Sequence, residues 1–317
     1  MKRLSSKIQL GNFLFDYVCE VEVRSSYETL TDTCTIKVPN KLHWKSKKLV
    51  AGDNPLLKKG DKVIVELGYN EKYQTVFEGY ITDIKPDKPV TIICEDEMWI
   101  LKQKVVTKSY ANVSLSTLLA DISPMPFEAA KVNLGKFRIS KATVAQVLDT
   151  LRKDYGLRAF VQNGVLKVGF PFIPDVATQT EKRVFHFQEN IISHDLIYQK
   201  ESDTKIKVEG VSILPNNKKE KVEVGDPDGE LRTIHKYAMN KADLQKFCEA
   251  EVKRLKFEGY RGSFVSFGEP FTKVTDYITL KDNEFPEREG KYLVKAITYK
   301  FGLNGYRQEV EPSLKVD

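Results

Sequence analysis

The sequence predicts a mainly β chain carrying a small α+β insertion. Three observations predict it. Period-2 alternation of apolar residues runs through residues 1–105 and returns from residue 184 onward. Between them, from about residue 108, the spacing turns helical. No stretch approaches the ~18 consecutive apolar residues that span a bilayer.

In the first region, "VCEVEVRS" (18–25) alternates Cys19, Val21 and Val23 with Glu20, Glu22 and Arg24, and "TCTIKVP" (33–39) repeats the pattern with Cys34, Ile36 and Val38. A long lysine-rich loop follows, "NKLHWKSKKLVAGDNPLLKKGD" (40–61). Then come "KVIVELGY" (62–69) and the strand pair "TVFEGYITDIKPDKPVTIICED" (75–96). The strand over 75–85 is apolar on both faces, with Phe77, Gly79 and Ile81 one way and Val76, Tyr80 and Ile84 the other. A surface hairpin needs only one apolar face, so something must cover the second.

The module from 108 to 175 reads as β-α-β-β. "SLSTLLADI" (114–122) and "ATVAQVLDTLRKDYG" (142–156) have helical stripes. "LRAFVQNGVLKVGF" (157–170) gives two strands around Asn163-Gly164, a strong hairpin signal. The rest, 176–317, returns to strands. It carries a charged, turn-rich hairpin at about 214–231 and a helix at about 240–259, capped by Asn240, with Leu244, Phe247, Cys248, Val252 and Leu255 on its apolar face. These readings divide the chain into 1–107, 108–175 and 176–317.

The segments 59–96 and 273–312 echo each other. Each sets an aspartate (Asp61, Asp276) just before a strand, passes a charged connector, and enters a long strand at a glycine (Gly79, Gly290). The second long strand is again apolar on both faces, with Leu293, Ile297 and Phe301 against Tyr292, Val294 and Ala296. Two like β halves with two-sided strands call for neighbours, and closed rings are how homo-oligomers commonly satisfy such surfaces. Three copies of a two-barrel chain would present six barrels.

The net charge of +6 is mild for 317 residues and unlike the clustered excess of a dedicated nucleic-acid binder. Cys19, Cys34, Cys94 and Cys248 lie far apart without a CxxC pair, and read as small buried hydrophobes of a chain folded in a reducing cytoplasm. The N-terminus lacks the continuous apolar region of a signal peptide. Glu95, Asp96 and Glu97 are adjacent, but neighbours on a strand point to opposite faces and make a poor metal cage. His43, His186, His194 and His235 are scattered, and neither a phosphate-binding glycine loop nor GxSxG appears. Neither an enzyme nor a cofactor or metal site is expected.

"DKVIVELGY…FEGYI" with "IICEDEMWILKQ" resembles the first barrel of phage tail hub proteins, the group of the late control protein D family and the hub part of VgrG proteins. "ATVAQVLDTLRKDYGLRAFVQNGVLKVG" resembles the small α/β insertion of those hubs. The helix at 240–259 with "GKYLVKAITYKFGLNGYRQEVEP" is similar to their second barrel. The resemblance implies two tube-type β-barrels per chain and a homotrimer forming a pseudo-six-fold ring. That ring joins a hexameric tail tube protein to a trimeric spike, contacts other baseplate proteins, and leaves a channel for tape-measure protein and DNA. It implies a baseplate location, with assembly in the bacterial cytoplasm and no membrane insertion. VgrG chains continue into further domains absent here, so the spike would be a separate protein.

Two groups of residues are therefore interface candidates: Trp44, Leu49, Val50, Leu56 and Leu57 in the long loop, expected to dock on a neighbour rather than on nucleic acid, and Val76, Tyr80, Tyr292 and Val294 on the two-sided strands. The second face of 75–85 is expected to meet a neighbouring barrel or the insertion. The competing reading is a stand-alone β-barrel protein that binds carbohydrate or nucleic acid.

Overall fold

The computed structural model describes residues 2–39, 56–155, 157–162, 164–169, 183–214, 218–237 and 239–316. The first β region comprises β1 (Leu4–Leu10), β2 (Phe13–Phe15), β3 (Glu20–Ser26), β4 (Thr33–Val38), β5 (Lys62–Tyr69), β6 (Lys72–Lys85) and β7 (Val90–Glu95), closed by the short helix α1 (Met98–Gln103). Next come β8 (Val105–Ser114), α2 (Leu115–Ile122), β9 (Phe127–Ala129), β10 (Asn133–Thr143), α3 (Val144–Tyr155), β11 (Arg158–Gln162) and β12 (Val165–Gly169). The second β region holds β13 (Arg183–His186), β14 (Ile191–His194) and β15 (Ile197–Gln199), then β16 (Ile206–Ile213), β17 (Lys219–Gly225), β18 (Glu230–Tyr237) and α4 (Lys241–Leu255). It ends with β19 (Gly259–Arg261), β20 (Phe264–Phe267), β21 (Tyr277–Lys281), β22 (Gly290–Gly302) and β23 (Gly305–Lys315).

The chain divides into two units. Unit one is Met1–Trp99, Pro174–Leu196 and Gly262–Ser313, and unit two is Ile100–Ile173, Ile197–Arg261 and Leu314–Asp317. Unit one is built on a 13-stranded sheet in which the same strand order occurs twice. The amino-terminal half runs β3-β4-β7-β6-β5-β1, and the carboxy-terminal half runs β14-β20-β23-β22-β21-β13. The outermost pairing differs: β1 lies antiparallel to β5, whereas β13 lies parallel to β21.

The duplication extends to single hydrogen bonds. In Lys58-Lys59-Gly60-Asp61 the Asp61 carboxylate accepts the Lys58 N–H at 2.9 Å, and in Lys273-Val274-Thr275-Asp276 the Asp276 carboxylate accepts the Lys273 N–H at 2.7 Å. Each turn then grips the long strand. Ile81 donates to the Asp61 carbonyl (2.9 Å) and accepts from Gly60 (2.8 Å), while Val294 donates to the Asp276 carbonyl (2.8 Å) and accepts from Thr275 (3.0 Å). The third turn residue is left-handed in both, Gly60 at φ +86° and Thr275 at φ +71°. Ile81 therefore corresponds to Val294 and Gly79 to Tyr292. The match of Gly79 with Gly290 expected from the letters is two residues out of step.

The halves share one sheet because β22 is long. Its first part pairs with β21, Gly290 opposite Leu280 to Leu293 opposite Tyr277. Its second part pairs antiparallel with β3, from Ala296 opposite Ser26 to Gly302 opposite Glu20. One face of the joint is apolar, with Val21, Val23, Cys34, Ile36, Ile92, Ile297, Tyr299 and Phe301 all buried.

Unit two takes its chain from three separate segments, so the expected boundaries need correction. The segment 176–317 is not one uninterrupted second barrel, because β16–β18 and α4 belong to unit two with 100–173. The charged stretch 214–231 is not a hairpin either. β16 is the centre of a three-stranded sheet, antiparallel to β17 and parallel to β18, so the 226–229 segment crosses over it. Alternation of charge along β17 and β18 marks two half-exposed strands but cannot show that a third lies between them. Here α4 covers Ile206, Val208 and Val222 with Leu244 and Cys248. In the 108–175 module the expected helices and the β11–β12 pair are present. β8 already begins at Val105 and pairs with β10, and β9 adds parallel to β12.

Candidate functional site

The chemically suggestive residues serve the fold. Asp96 accepts the N–H of Met98 at the start of α1 (3.1 Å) and the N–H of Asp32 (3.0 Å). Asp32 accepts the Ser25 hydroxyl and the Ser26 N–H, and burial raises its carboxyl above the usual range. The His186 ring contacts Asn283 Oδ1 at 3.2 Å, and His194 meets Phe187 edge-on at 4.9 Å. His43 lies outside the described residues. Among the described residues no group of three His, Cys, Asp or Glu side chains is placed to hold a metal ion. Cys34 and Cys94 are directly opposite each other on β4 and β7, both fully buried, and burial pushes both thiols upward, Cys94 to about 12. These are packing cysteines, not nucleophiles.

The feature with functional content is the sheet of unit one. The registers set one mostly polar face across both halves: Glu20, Glu22 and Arg24 on β3, Thr35 and Lys37 on β4, Glu95 on β7, Thr298 and Lys300 on β22, and Arg307 and Glu309 on β23, interrupted by Ile93 on β7 and by Val265 and Phe267 on β20. Neighbours alternate in sign and pair: Lys37 with Glu20 at 2.7 Å, Arg24 with Glu22 at 2.6 Å, and Lys300 with Glu309 at 2.9 Å. The hydrogen bond from Lys37 to Glu20 raises the lysine's pKa. This face is close to neutral although the chain is basic overall.

The interface candidates separate into three groups. Trp44, Leu49 and Val50 lie outside the described residues. Leu57, Tyr292 and Val294 are 1%, 0% and 0% exposed, so the folded chain itself covers them and leaves them no surface to offer. Leu56, Val76 and Tyr80 are half-buried. Tyr80 stacks on Trp99 of α1 with ring centroids 5.3 Å apart and planes 26° from parallel. The second face of the 75–85 strand is thus covered at Tyr80 from within the chain, by a residue the acidic run Glu95–Glu97 obscured. A tryptophan just after that run, opposite a tyrosine on a two-sided strand, was the available signal.

No family model matches the chain, and no curated protein matches it in sequence. Its fold is that of phage tail proteins. The tail protein of Neisseria meningitidis MC58 superposes with a TM-score of 0.68 at 15% identity, covering 99% of this chain and 97% of that one. The 43 kDa tail protein of prophage MuSo2 from Shewanella oneidensis gives 0.62 at 14% identity, covering 97% of each chain. A chain of the Francisella PdpA-VgrG complex gives 0.59 at 12% identity, with all of this chain matching 54% of that one. The mainly β architecture with its α/β insertion, expected from the letters, is the architecture of these neighbours.

Proposed function

We propose that this chain is the structural hub of a phage tail or contractile injection machine. Three copies form a pseudo-six-fold ring that joins a hexameric tail tube to a separate trimeric spike, within a baseplate assembled in the bacterial cytoplasm. The observation that carries this reading is the duplicated half-sheet, down to the matched Asp61 and Asp276 turns. One chain supplies two like wall segments, so three chains can face a six-fold partner on one rim and a three-fold partner on the other. The fold shared with tail proteins and a VgrG-containing complex supports the setting.

The polar sheet face lines the channel in this reading. A wall of alternating, internally paired charges offers a passing polyanion neither a basic trap nor a strong barrier, as passage of tape-measure protein and DNA requires. The chain acts by shape and adhesion, without catalysis. The test is native mass spectrometry with negative-stain imaging of the purified chain up to about millimolar concentration, where even weak association populates the assembly. Trimers imaged as six-lobed rings with a central hole are expected. A chain that stays monomeric throughout overturns the ring and favours a stand-alone binding protein.

A further inference from the structure

The chain's positive charge is concentrated in one stretch. Residues 100–173 carry eleven lysines and arginines against four aspartates and glutamates, a net +7 where the whole chain has +6. Three of those four carboxylates are engaged within the stretch: Asp121 by Lys108 at 3.0 Å, Glu128 by Lys167 at 3.5 Å, and Asp149 by Arg152 at 2.8 Å. The β8–β10 ribbon belongs to the same stretch, and its two strands pair only with each other among the described residues. Its inner face, with Val106, Val113, Phe137 and Ile139, is buried, α2 lying against β8 and α3 against β10. Its outer face is open.

Register decides what the outer face presents. Arg138 stands opposite Ser109, and a bulge on either side adds to that pair. Between Ile139, opposite Lys108, and Ala142, opposite Val106, both Ser140 and Lys141 face Thr107. Between Gly135, opposite Val113, and Phe137, opposite Tyr110, Lys136 faces both Ala111 and Asn112. Lys141 is held in the left-handed region at φ +48°, and its N–H donates to Thr107 Oγ1 at 3.1 Å. Bulges re-aim side chains and increase the right-handed twist of a strand pair. All eight of these outer residues are exposed. The outcome is a twisted ribbon that sets Lys136, Arg138 and Lys141 among small hydroxyl side chains. None of the three cations forms an ion pair among the described residues, unlike Lys108 on the inner face.

We propose that the outer face of the β8–β10 ribbon grips duplex DNA by its phosphate backbone, without reading sequence. The face holds cations and hydroxyls and no carboxylate, which is the chemistry that phosphate oxygens attract. With no third strand on either edge among the described residues, the outward N–H groups of the ribbon are donors of the same kind. The face has no aromatic side chain on which single-stranded nucleic acid could stack. Its largest exposed apolar side chain is Val105, at the end of the ribbon. That is small beside the aromatic and long aliphatic anchors by which protein partners and membrane surfaces hold a site. A two-stranded β-ribbon, by contrast, is of a size that the major groove of B-DNA admits. The inference goes beyond the hub reading and does not rest on it. It assigns adhesion to DNA to unit two, apart from the near-neutral sheet face of unit one.

Fluorescence anisotropy of the full-length chain with a labelled duplex of arbitrary sequence, about 20 base pairs long, tests the grip across about 50–200 mM salt. A Kd of about 10–100 µM is expected near physiological salt. The association constant should fall with salt at a log–log slope of about −2.7, the value for three neutralised phosphates. Lys136→Gln, Arg138→Gln and Lys141→Gln are each expected to make that slope shallower by about one. The triple variant should weaken binding at least about tenfold at ~50 mM salt while its far-ultraviolet circular dichroism stays that of the parent. Lys72→Gln/Lys88→Gln/Lys246→Gln removes three exposed lysines elsewhere on the chain and is expected to bind as the parent does. Equal losses in the two triple variants would show attraction by net charge alone and overturn the proposal. Tighter binding of single-stranded DNA, poly-glutamate or phosphatidylglycerol vesicles than of the duplex overturns it too, and gives the face to that partner. A chain that leaves the duplex free at about millimolar concentration and ~50 mM salt overturns it as well, and leaves the hub reading standing.

Discussion

Tyr80 and Trp99 lie nearly parallel, 5.3 Å between ring centroids, and Gly60 sits under the edge of the same indole. The stack joins three parts of the amino-terminal half: the long strand β6, the helix α1 that follows β7, and the turn before β5. Removing the indole uncovers the second face of β6 and leaves a void beside Gly60. Trp99→Ala is expected to destabilise unit one by about 2–4 kcal/mol, somewhat below a fully buried aromatic because the indole is half-exposed. Trp99→Phe should retain more than half of that. Urea denaturation of the three proteins reads the difference, and equal midpoints for Trp99→Ala and wild type would show that the stack is not what covers β6.

The matched turns differ at their third position, Gly60 against Thr275, and this difference is a stability prediction. Gly60 adopts its left-handed conformation freely, whereas Thr275, β-branched, is held at φ +71° in the equivalent place. A non-glycine residue there costs about 1–2 kcal/mol, partly offset by the greater freedom that glycine has in the unfolded chain. Thr275→Gly is expected to raise stability by about 0.5–1 kcal/mol, readable as a higher thermal midpoint. The reverse change, Gly60→Thr, should lower it, since a Cβ at Gly60 already lies 3.2 Å from the Trp99 ring.

These two sites show where sequence patterning suffices and where it stops. Strands at 18–25, 33–39 and 62–69 were legible because one buried face imposes period 2. α4 was legible because Asn240, whose side chain accepts the Asp243 N–H at 2.9 Å, sits just before a stripe of apolar residues. The echo of Asp61 and Asp276 was legible because a tight turn tolerates few alternatives. What failed was non-local. Tyr292 and Val294 read as a spare apolar face, yet the folded chain buries both completely, and no local period records that. Likewise the exit of 197–261 into unit two leaves β14 and β20 adjacent, a splice that composition does not mark.

Under the carboxy-terminal half-sheet, Gly268 is pressed against Tyr306. Its N–H donates to the Tyr306 carbonyl at 3.2 Å, and the hydroxyl of Tyr69 donates to the same carbonyl at 3.1 Å. A Cβ added at Gly268 would come within 2.1 Å of the Tyr306 ring, so Gly268→Ala is expected to cost about 1–3 kcal/mol by overpacking. The Tyr306 hydroxyl is buried and hydrogen-bonds to no described group, and burial pushes its pKa far up. Tyr306→Phe is therefore expected to be neutral or stabilising by up to about 1 kcal/mol. A loss above 1 kcal/mol in chemical denaturation would mean that the hydroxyl has a partner.

Lys236 on β18 gives unit two a pH dependence whose sign is fixed. Its side chain is only 7% exposed and its ammonium lies 4.3 Å from the centre of the Phe247 ring. Burial lowers its pKa below the ordinary 10.5, opposed in part by the carboxylates of Glu251 and Asp154. Because the folded chain gives up this proton at lower pH than the unfolded chain, the unfolded state binds more protons between those two points. Stability from this group therefore rises with pH across that window, and the cost of burying the charge is fully present below it. Lys236→Met keeps the stem's volume and removes the charge. It is expected to stabilise by about 1 kcal/mol at neutral pH, the gain from lost desolvation being reduced by the lost attraction to the Phe247 ring. The advantage should shrink as pH climbs toward 10.5, where the wild-type lysine is neutral in the fold. Urea unfolding of both proteins from pH 7 to pH 10 measures it, and curves that stay parallel over that range would show that Lys236 carries its charge at no cost.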